Sequence, residues 1–347
     1  MGTSMTGSAD TMRAAVLATY GAPLGVVSLP RPVPGPGQLL VRLQACGVCH
    51  SDVHIWRGEG IPTQIPSPFV MGHEGVGVVE AVGDGVAGWA LGDQVGVPWI
   101  HDTCRHCDEC LEGDESFCQH HRAHGLNVPG AFADYVLASA GFAVRLPSNI
   151  DPLTTAPLMC AGITAYGALK KAELKEGETC IVFGCGGLGL YAIQIASRLG
   201  IKVLAVDRDP VKLKIAQRYG AMEAEIADDT LPARLAARTN KPHACINFAP
   251  TTATWAAMIA AIRPRGRIIA AAMVFEPVPL IQEWLTATGV IITGTSVGTR
   301  AQMRELVAMH AERPFEIAVE TISLEQVSDA LLALENGTSK GRFVIEF

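Results

Sequence analysis

The feature that most constrains the fold is a glycine-rich run between an apolar segment and a helical one. The run reads Gly184-Cys185-Gly186-Gly187-Leu188-Gly189. Residues 179–183 before it are largely apolar, as in a strand of a parallel sheet that is covered on both faces. After it, apolar residues recur at helical spacing at Leu188, Ala192, Ile195 and Leu199. A strand, a glycine turn and a helix in this order predict the first unit of a doubly wound α/β sheet.

The glycine spacing G-x-G-x-x-G also predicts a dinucleotide site. Gly184 permits the tight turn, Gly186 lets the backbone approach a pyrophosphate, and Gly189 lets the helix pack close to the strand. Asp207 ends the next predicted strand, roughly 20 residues later, where a carboxylate accepts hydrogen bonds from ribose hydroxyls and repels a 2′-phosphate. NAD is therefore favoured over NADP, although the adjacent Arg208 weakens the preference. The alternative is a glycine-rich turn that holds no ligand.

Strands and helices continue to alternate around this run. We predict further strands at 202–206, 244–248, 267–271 and 290–294, and helices at 162–171, 210–219 and 254–262. One or two helices follow Arg300, and residues 342–347 form a final strand. This alternation is typical of a doubly wound parallel sheet.

The first part of the chain has a different pattern, with short strands separated by glycine. We predict strands at 13–18, 38–44, 75–82, 94–98 and 131–136, and a short helix at 51–57. Within 38–44, Leu39, Val41 and Leu43 alternate with Leu40, Arg42 and Gln44, which predicts a half-buried strand. Such a pattern predicts a partly closed all-β barrel. The expected domains are 1–161, with a metal lobe at about 101–120, then 162–295 as the doubly wound unit, and 296–347 returning to the first domain.

Composition excludes several kinds of partner. The net charge of −7 argues weakly against nucleic acid and anionic membranes, and no apolar run is long enough to span a bilayer. The residues from Met1 to Thr11 are small and polar and lack an apolar signal core, so we interpret them as a disordered leader or an expression remnant. The cytoplasm is the expected compartment.

Cysteine spacing predicts a structural metal. Cys104, Cys107, Cys110 and Cys118 form C-x-x-C-x-x-C-x₇-C, in which four thiolates converge on one tetrahedral zinc ion and close its shell. The lobe has little apolar material, so the metal would contribute its folding free energy. His106, His120 and His121 are possible competing ligands, but we interpret them as exposed loop residues. The alternative is four free thiols in a loop.

A second cluster of reactive groups begins with Cys49-His50-Ser51-Asp52-Val53-His54. Each of these polar groups requires a partner if it is buried. His73 and Cys160 would complete the cluster as a catalytic zinc site, with Ser51, His54 and a nicotinamide cofactor around it. Spacing alone does not prove that ligands so distant in sequence converge.

Together these motifs resemble the zinc-containing alcohol dehydrogenases of the medium-chain dehydrogenase/reductase family, most closely the microbial NAD-dependent members of the yeast type. The resemblance covers about residues 12–347. It rests on the segments 46–52, 72–77, 157–164 and 340–342, together with the four-cysteine lobe and the glycine loop with Asp207. It implies a GroES-like catalytic barrel, a Rossmann cofactor domain, and an NAD-dependent interconversion of primary, short-chain alcohols and aldehydes.

The resemblance also implies roles at the catalytic zinc. Cys49, His73 and Cys160 bind the ion and leave a fourth position open. Ser51 takes the hydroxyl proton and passes it through a ribose hydroxyl to His54, while Asp52 hydrogen-bonds the zinc histidine. Glu74 lies beside the metal and assists ligand exchange, or else belongs to a structural ion pair.

Further positions are implied for the cofactor and the substrate. His50 and Arg342 contact the pyrophosphate with the loop residues Gly187 and Leu188, Lys212 supports the ribose beside Asp207, and Thr164 touches the nicotinamide side. Trp56 and Trp99 narrow the alcohol pocket and favour small primary alcohols. The alternative for these two is that one tryptophan packs in the core.

Four other functions were weighed. An aromatic or allylic alcohol dehydrogenase linked to NADP is disfavoured by Asp207, and a polyol dehydrogenase typically has glutamate in place of Cys160. A zinc-stabilised nucleotide-binding protein without turnover would not need the intact cluster. A zinc-free quinone reductase would lack these ligands. By analogy with the family we expect a homotetramer, or a dimer, paired through the sheet edge near 290–294.

Overall fold

The computed structural model describes residues 11–60, 65–278 and 280–347, so nearly all of the segment expected to be a leader lies outside the described residues. The strands are β1 Thr11–Leu17, β2 Gly25–Pro30, β3 Gln38–Gly47, β4 Phe69–Val70, β5 Glu74–Val82, β6 Gln94–Val97, β7 Ile100–Asp102, β8 Arg122–Ala123, β9 Tyr135–Ser139, β10 Val144–Arg145, β11 Thr179–Phe183, β12 Lys202–Asp207, β13 Glu223–Ile226, β14 Ala244–Asn247, β15 Arg267–Ala270, β16 Ile291–Gly294, β17 Val319–Ile322 and β18 Arg342–Glu346. The helices are α1 His50–Arg57, α2 Asp108–Leu111, α3 Pro152–Thr155, α4 Ala161–Ala172, α5 Gly187–Arg198, α6 Pro210–Arg218, α7 Leu231–Ala236, α8 Thr254–Ala261, α9 Gln282–Thr288, α10 Arg300–Glu312 and α11 Val327–Glu335.

The chain divides into two compact units. The first contains the residues up to Cys160, Met303–Pro314 and Ala318–Phe347. The second contains Ala161–Gln302 and the three-residue piece Phe315–Ile317. None of the helices in the described residues is long and apolar enough to cross a membrane.

The first unit is built on sheets. Its main sheet has the order β10-β6-β5-β3-β18-β17, and β9 also pairs with β3. A smaller sheet has the order β2-β1-β4, and β7 and β8 form a separate two-stranded ribbon. The alternation predicted in β3 is observed at Arg42, which is exposed between the buried Val41 and Leu43, but it is wrong at Leu40, which is buried like Leu39. Leu39, Val41 and Leu43 belong to the core of the unit.

The strand predicted at 131–136 is placed differently. The observed strand, β9, begins only at Tyr135. Before it, the N–H groups of Ala131 and Phe132 donate to the carbonyls of Gly72 and Met71, 2.9 and 2.8 Å away. The contact is so close that a Cβ on Gly130 would lie 2.1 Å from the Gly72 oxygen. This small-residue segment is therefore a buried loop fixed against another loop.

The second unit is a parallel sheet with helical connections. Its order is β13-β12-β11-β14-β15-β16, so the chain moves outward from β11 on one side and resumes at β14 on the other. The prediction of a doubly wound sheet is confirmed. The predicted strands at β11, β12, β14, β15 and β16 are observed to within one residue at each end. The sequence did not predict β13, α7 or α9.

The helix after the glycine run packs on more sides than its predicted stripe. Residues 191–196 are all buried, whereas Leu199 is 42% exposed, so the predicted face was wrong at its last position. Leu199 is exposed because it lies just beyond the end of α5 at Arg198, whereas α5 itself contacts β11, β12 and also α4. A helix covered on two sides has no single apolar stripe.

Candidate metal and cofactor sites

Four buried side chains converge in the first unit. They are Cys49, His73, Glu74 and Cys160, and one ligand atom from each lies within 4.8 Å of the others. The side chains come from the residue before α1, the start of β5 and the residue before α4. The Sγ atoms of Cys49 and Cys160 are 3.8 Å apart. Two thiolates on a tetrahedral zinc with Zn–S bonds of about 2.3 Å are separated by about 3.8 Å.

The orientation of His73 provides the clearest test of whether these residues fit a metal. Its Nδ1–H donates to Asp52 Oδ1 at 3.0 Å, and the ring is fully buried. Its Nε2 is buried and has no hydrogen-bond partner among the described residues. An unsatisfied buried acceptor is costly, and a metal ion would satisfy it. Asp52 Oδ2 accepts from the Cys49 N–H at 2.8 Å, so one carboxylate fixes two ligands.

The members of this cluster shift one another's pKa values. The Cys160 thiol, as hydrogen-bond donor, holds the pKa of Cys49 well below its usual range, against the effect of burial. Burial by itself lowers the pKa of His73, but Asp52 and Cys49 outweigh it, so the pKa is raised. The shift at Cys49 favours the thiolate, which is the form of cysteine that binds a metal. The residues fit a zinc ion with two sulfur ligands and one nitrogen ligand.

Glu74 is paired with Arg342. The Arg342 guanidinium donates to Glu74 Oε2, and both side chains are buried. Burial raises the pKa of the Glu74 carboxyl, and Arg342 opposes the shift. Of the two roles expected for Glu74, the structural ion pair is observed, while its proximity to the other ligands leaves metal contact a prediction. The Arg342 contact with a pyrophosphate also stays a prediction.

Helix α1 carries the residues expected to move protons. Ser51 Oγ lies 3.8 Å from Cys49 Sγ. One turn later, His54 Nδ1 lies 3.1 Å from Glu59 Oε2. The exposed His50 stands edge-on to His54, with ring centroids 5.1 Å apart. No motif in the sequence marks Glu59, and only its position shortly after His54 could have indicated this contact.

The two tryptophans have different surroundings. Trp56 packs in the hydrophobic core, where it is 2% exposed and its Nε1–H donates to Ala22 O at 2.6 Å. Trp56 follows Asp52 by one helical turn and shares its buried face, so the alternative of core packing is observed, and its contact with a substrate stays a prediction. Trp99 is half-buried, and its ring stands edge-on to the His73 ring at 4.8 Å.

The cysteine lobe forms a second cluster. Ligand atoms of Cys104, Cys107, Cys110 and Cys118 lie within 4.8 Å of one another. Cys104 Sγ is 3.9 Å from Cys110 Sγ and 3.6 Å from Cys118 Sγ, again close to tetrahedral zinc spacing. A hydrogen bond from the main-chain N–H of His106 lowers the pKa of Cys104 to about 6. These thiols fit a closed structural zinc site.

The lobe histidines are placed outside this cluster. His106 Nδ1 faces Cys104 O at 2.8 Å, and His121 Nδ1 faces Cys118 O at 2.7 Å. His106 and His120 are exposed, and His121 is half-buried.

The glycine loop lies at the point where the strand order of the second unit reverses. Gly184 has φ +90°, and a Cβ on Gly189 would lie 1.8 Å from Gly184 O, so both positions require glycine. Gly186 precedes α5 and faces open space. Asp207, the last residue of β12, accepts from the N–H of Cys185 at 2.7 Å. The loop thus offers backbone room and a helix N-terminus to an anion.

The remaining predicted cofactor residues lie in the same unit. Gly187 and Leu188 begin α5, Thr164 is buried on α4, and Lys212 is half-buried on α6. The structure places them on the elements expected, and their contacts with a cofactor stay predictions. Sequence reasoning assigned no role to His101 and His124, which form a buried pair in the first unit. In the sequence, only their positions on either side of the cysteine lobe could have indicated that the two histidines pair.

Known proteins share this architecture along the whole chain. Two family patterns match, "Alcohol dehydrogenase GroES-like domain" over residues 35–148 and "Zinc-binding dehydrogenase" over residues 187–312. An alcohol dehydrogenase of Geobacillus stearothermophilus is 36% identical over 336 residues, which are 96% of this chain and 99% of the relative.

Solved structures show the same similarity. The alcohol dehydrogenase of the archaeon Aeropyrum pernix has a TM-score of 0.88 at 30% identity, covering 96% of this chain and 100% of that one. Acetophenone reductase from Geotrichum candidum, solved in complex with NAD, has a TM-score of 0.87 at 27% identity and covers 98% of each chain. The chain therefore belongs to the zinc-type alcohol dehydrogenases of the medium-chain dehydrogenase/reductase family.

Proposed function

We propose that the protein is an NAD-dependent alcohol dehydrogenase that interconverts short primary alcohols and aldehydes at a zinc ion. The observation that carries the proposal is the orphaned Nε2 of His73, which is buried beside the thiols of Cys49 and Cys160. Two sulfurs and one imidazole leave a fourth position for a substrate oxygen. A zinc ion bound there supplies Lewis-acid chemistry to that oxygen.

The residues of the first unit have distinct parts in this proposal. Cys49, His73 and Cys160 hold the metal, and Asp52 fixes the orientation of the imidazole. Ser51, beside the Cys49 sulfur, accepts the proton that leaves the alcohol. His54 receives it on the next turn of α1 and releases it to solvent. Glu74 neutralises Arg342 and remains within reach of the ligand set.

The residues of the second unit bind the cofactor in this proposal. NAD supplies the hydride acceptor. The N-terminus of α5 and the backbone at Gly186 receive the pyrophosphate. Asp207 and Lys212 bind the adenosine ribose, and Thr164 contacts the nicotinamide end. The carboxylate of Asp207 favours NAD, because a 2′-phosphate would be repelled there.

A second candidate is an aromatic or allylic alcohol dehydrogenase linked to NADP. The aromatic substrate is favoured by the similarity to an acetophenone reductase, because acetophenone is an aromatic ketone. The packing of the two tryptophans favours it as well. The Trp56 indole packs in the core, whereas the Trp99 ring lies beside His73. A wider space beside the metal would accept larger alcohols.

We also propose that the first unit is the catalytic domain and the second the cofactor domain. The assembly we propose is a cytoplasmic homotetramer, with a dimer as the alternative. The strand β16 ends the parallel sheet and presents Ile291 at 49% exposure, which suits pairing with a second copy. Light scattering after size-exclusion chromatography distinguishes tetramer, dimer and monomer.

The experiment that tests the proposed function measures initial rates of NADH formation with ethanol, butanol, benzyl alcohol and a secondary alcohol. Parallel samples contain NADP in place of NAD, or protein treated with a chelator. We expect NAD-dependent rates that peak at short primary alcohols and disappear after chelation. Rates confined to benzyl or secondary alcohols would support the second candidate. No turnover in protein that holds two zinc ions would contradict both.

A further inference from the structure

A pair of buried histidines lies beside the metal-binding cluster of the first unit. His101 belongs to β7, and His124 follows β8. They are 3% and 1% exposed, and His101 Nδ1 lies 3.0 Å from His124 Nε2. Buried imidazoles are costly unless their nitrogens have partners. Neither ring is among the ligand atoms of the two cysteine clusters.

The surroundings of His124 determine which nitrogen carries the proton. Its Nδ1 is 2.8 Å from the carbonyl of Pro98, which can only accept, so Nδ1 bears the hydrogen. Burial lowers the pKa of His124 to about 3, so the ring is neutral near pH 7. Its Nε2 therefore accepts from the Nδ1–H of His101. The Leu137 carbonyl also lies 3.2 Å from Nε2, but the neutral ring has no second proton to donate.

His124 holds both peptide groups that flank Trp99. Its ring donates to the Pro98 carbonyl, which precedes Trp99, and its main-chain N–H donates to the Trp99 carbonyl at 2.9 Å. The Trp99 ring in turn meets the His73 ring at 86° and 4.8 Å. The buried imidazole of His124 thus lies against the backbone of Trp99, and the Trp99 ring contacts the predicted metal ligand His73.

We propose that His124, oriented by His101, is a positioning residue that fixes the Trp99 indole against His73. The pair thereby sets the width of the space beside the metal ligands and, with it, the size of alcohol accepted. This inference rests on the proposed function, because a substrate must enter that space. The pair acts through two hydrogen bonds and a fixed tautomer, and neither ring touches the substrate.

Two amide substitutions at His124 distinguish the loss of the hydrogen bond to Pro98 from the loss of the imidazole ring. The amide nitrogen of asparagine takes the place of Nδ1, so His124→Asn keeps the bond to Pro98. The amide of glutamine takes the place of Nε2, so His124→Gln loses that bond. Losing one buried hydrogen bond corresponds to about a tenfold change in an equilibrium or rate ratio. We expect His124→Gln to raise kcat/KM for 1-hexanol relative to ethanol by about tenfold, through KM, and His124→Asn to resemble the parent.

A readout independent of activity is acrylamide quenching of Trp99 fluorescence. The Trp99 signal of each protein is obtained by subtracting the fluorescence of the same protein with Trp99→Phe added. We expect Trp99 to be quenched more readily in His124→Gln than in the parent and in His124→Asn. Zinc content is measured in every sample. His243→Gln is the matched control, since His243 is a hydrogen-bonded histidine in the second unit.

The outcomes separate this inference from the proposed function. If the parent oxidises no alcohol, the quenching difference still tests the pair. Unchanged quenching and an unchanged alcohol ratio in His124→Gln would overturn the inference, as would equal effects of the two substitutions. If His124→Gln does not fold, His101→Gln removes the donor to Nε2 while His101→Asn retains it. The same contrast is then expected between those two variants, and its absence would overturn the inference.

Discussion

At the scale of single residues, Asp52 organises the candidate metal site of Cys49, His73 and Cys160. Its two carboxylate oxygens accept from the His73 ring and from the Cys49 main chain, 3.0 and 2.8 Å away. The residue is fully buried, so both bonds form in a medium that strengthens them. The ligands are therefore fixed before any metal arrives, which reduces the ordering that binding requires.

The substitution Asp52→Asn tests this role. An amide can present its oxygen to His73, but its NH₂ group cannot accept from the Cys49 N–H. We expect zinc affinity at this site to fall by about 10- to 100-fold, measured by competition with a chromophoric chelator. Asp93→Asn is the control, because Asp93 is a partly exposed carboxylate outside the cluster that also accepts a hydrogen bond from a main-chain N–H, that of Ala90. Equal zinc affinity in parent and Asp52→Asn would show that the contact is dispensable.

Residue chemistry was more predictable from the sequence than residue placement. The cysteine spacing of the lobe directly indicated a tetrahedral cluster, because four ligands lie within fifteen residues of chain. The convergence of Cys49, His73 and Cys160 depended on the family resemblance, since no local pattern encodes contacts across so much sequence. The surroundings of Trp56 could not be predicted, because its residue type fits both a pocket and a core, and the helical phase of α1 places it on the buried face.

At the scale of an element, the glycine loop combines a steric requirement with an expected binding role. At Gly189 a side chain has no space, whereas at Gly186 it has open space. The two positions should therefore respond differently to the same added methyl group. One substitution would report on packing and the other on the approach of a ligand.

We expect Gly186→Ala to fold with nearly the thermal midpoint of the parent and to bind NAD at least tenfold more weakly, because its Cβ would occupy the path of the pyrophosphate. Gly189→Ala should instead lower the thermal midpoint, because its Cβ would overlap the Gly184 carbonyl. Differential scanning fluorimetry and NAD titration by calorimetry measure the two effects. Unaltered NAD affinity in Gly186→Ala would remove this loop from the cofactor site.

Elements with strong periodicity were predicted, and polar or exposed ones were not. The apolar strands β11, β12 and β14 were located from their composition. The missed strand β13 reads Glu-Ala-Glu-Ile and lies at the edge of the sheet, where little apolar surface is needed. The missed helix α9 has no buried residue and so no apolar stripe. Such elements are specified by pairing and by their neighbours more than by local pattern.

At the scale of the whole molecule, acid should reduce the stability of the fold through His124. Its pKa is lowered to about 3 by burial, whereas a histidine in an unfolded chain has a pKa of about 6.5. Between these values the unfolded state binds one proton more than the folded state. The free energy of unfolding therefore falls as the pH is lowered from 6.5 towards 3, by up to about 1.4 kcal/mol per pH unit.

The measurement is urea unfolding at several pH values between 4 and 7, compared between the parent and His124→Asn. Carboxylates contribute to acid unfolding in both proteins, so the difference between the two slopes isolates His124. We expect the variant to lose stability less steeply as the pH falls. Parallel slopes would mean that His124 is protonated in the folded protein at these pH values.

The cysteine lobe should contribute to overall stability without contributing to the chemistry. We expect Cys107→Ser to reduce zinc content from two ions to one per chain and to lower the thermal midpoint, because the metal supplies folding free energy to the lobe. Cys180→Ala, at a buried cysteine outside both clusters, is the control and should retain both ions. Atomic absorption and scanning calorimetry measure these effects. Retention of two ions by Cys107→Ser would contradict a four-thiolate site.

The short piece Phe315–Ile317 has a consequence for dividing this protein. The main chain of Glu316 is held by both amide atoms of Gln194, at 2.9 and 2.7 Å, and the Phe315 ring meets Tyr191 edge-on. A gene fragment that encodes only residues 161–302 would omit this piece and remove both hydrogen bonds that the Gln194 amide makes with Glu316. The second unit is thus not a transferable cassette in one stretch, and a chimaera that exchanges it must carry two separate segments of sequence.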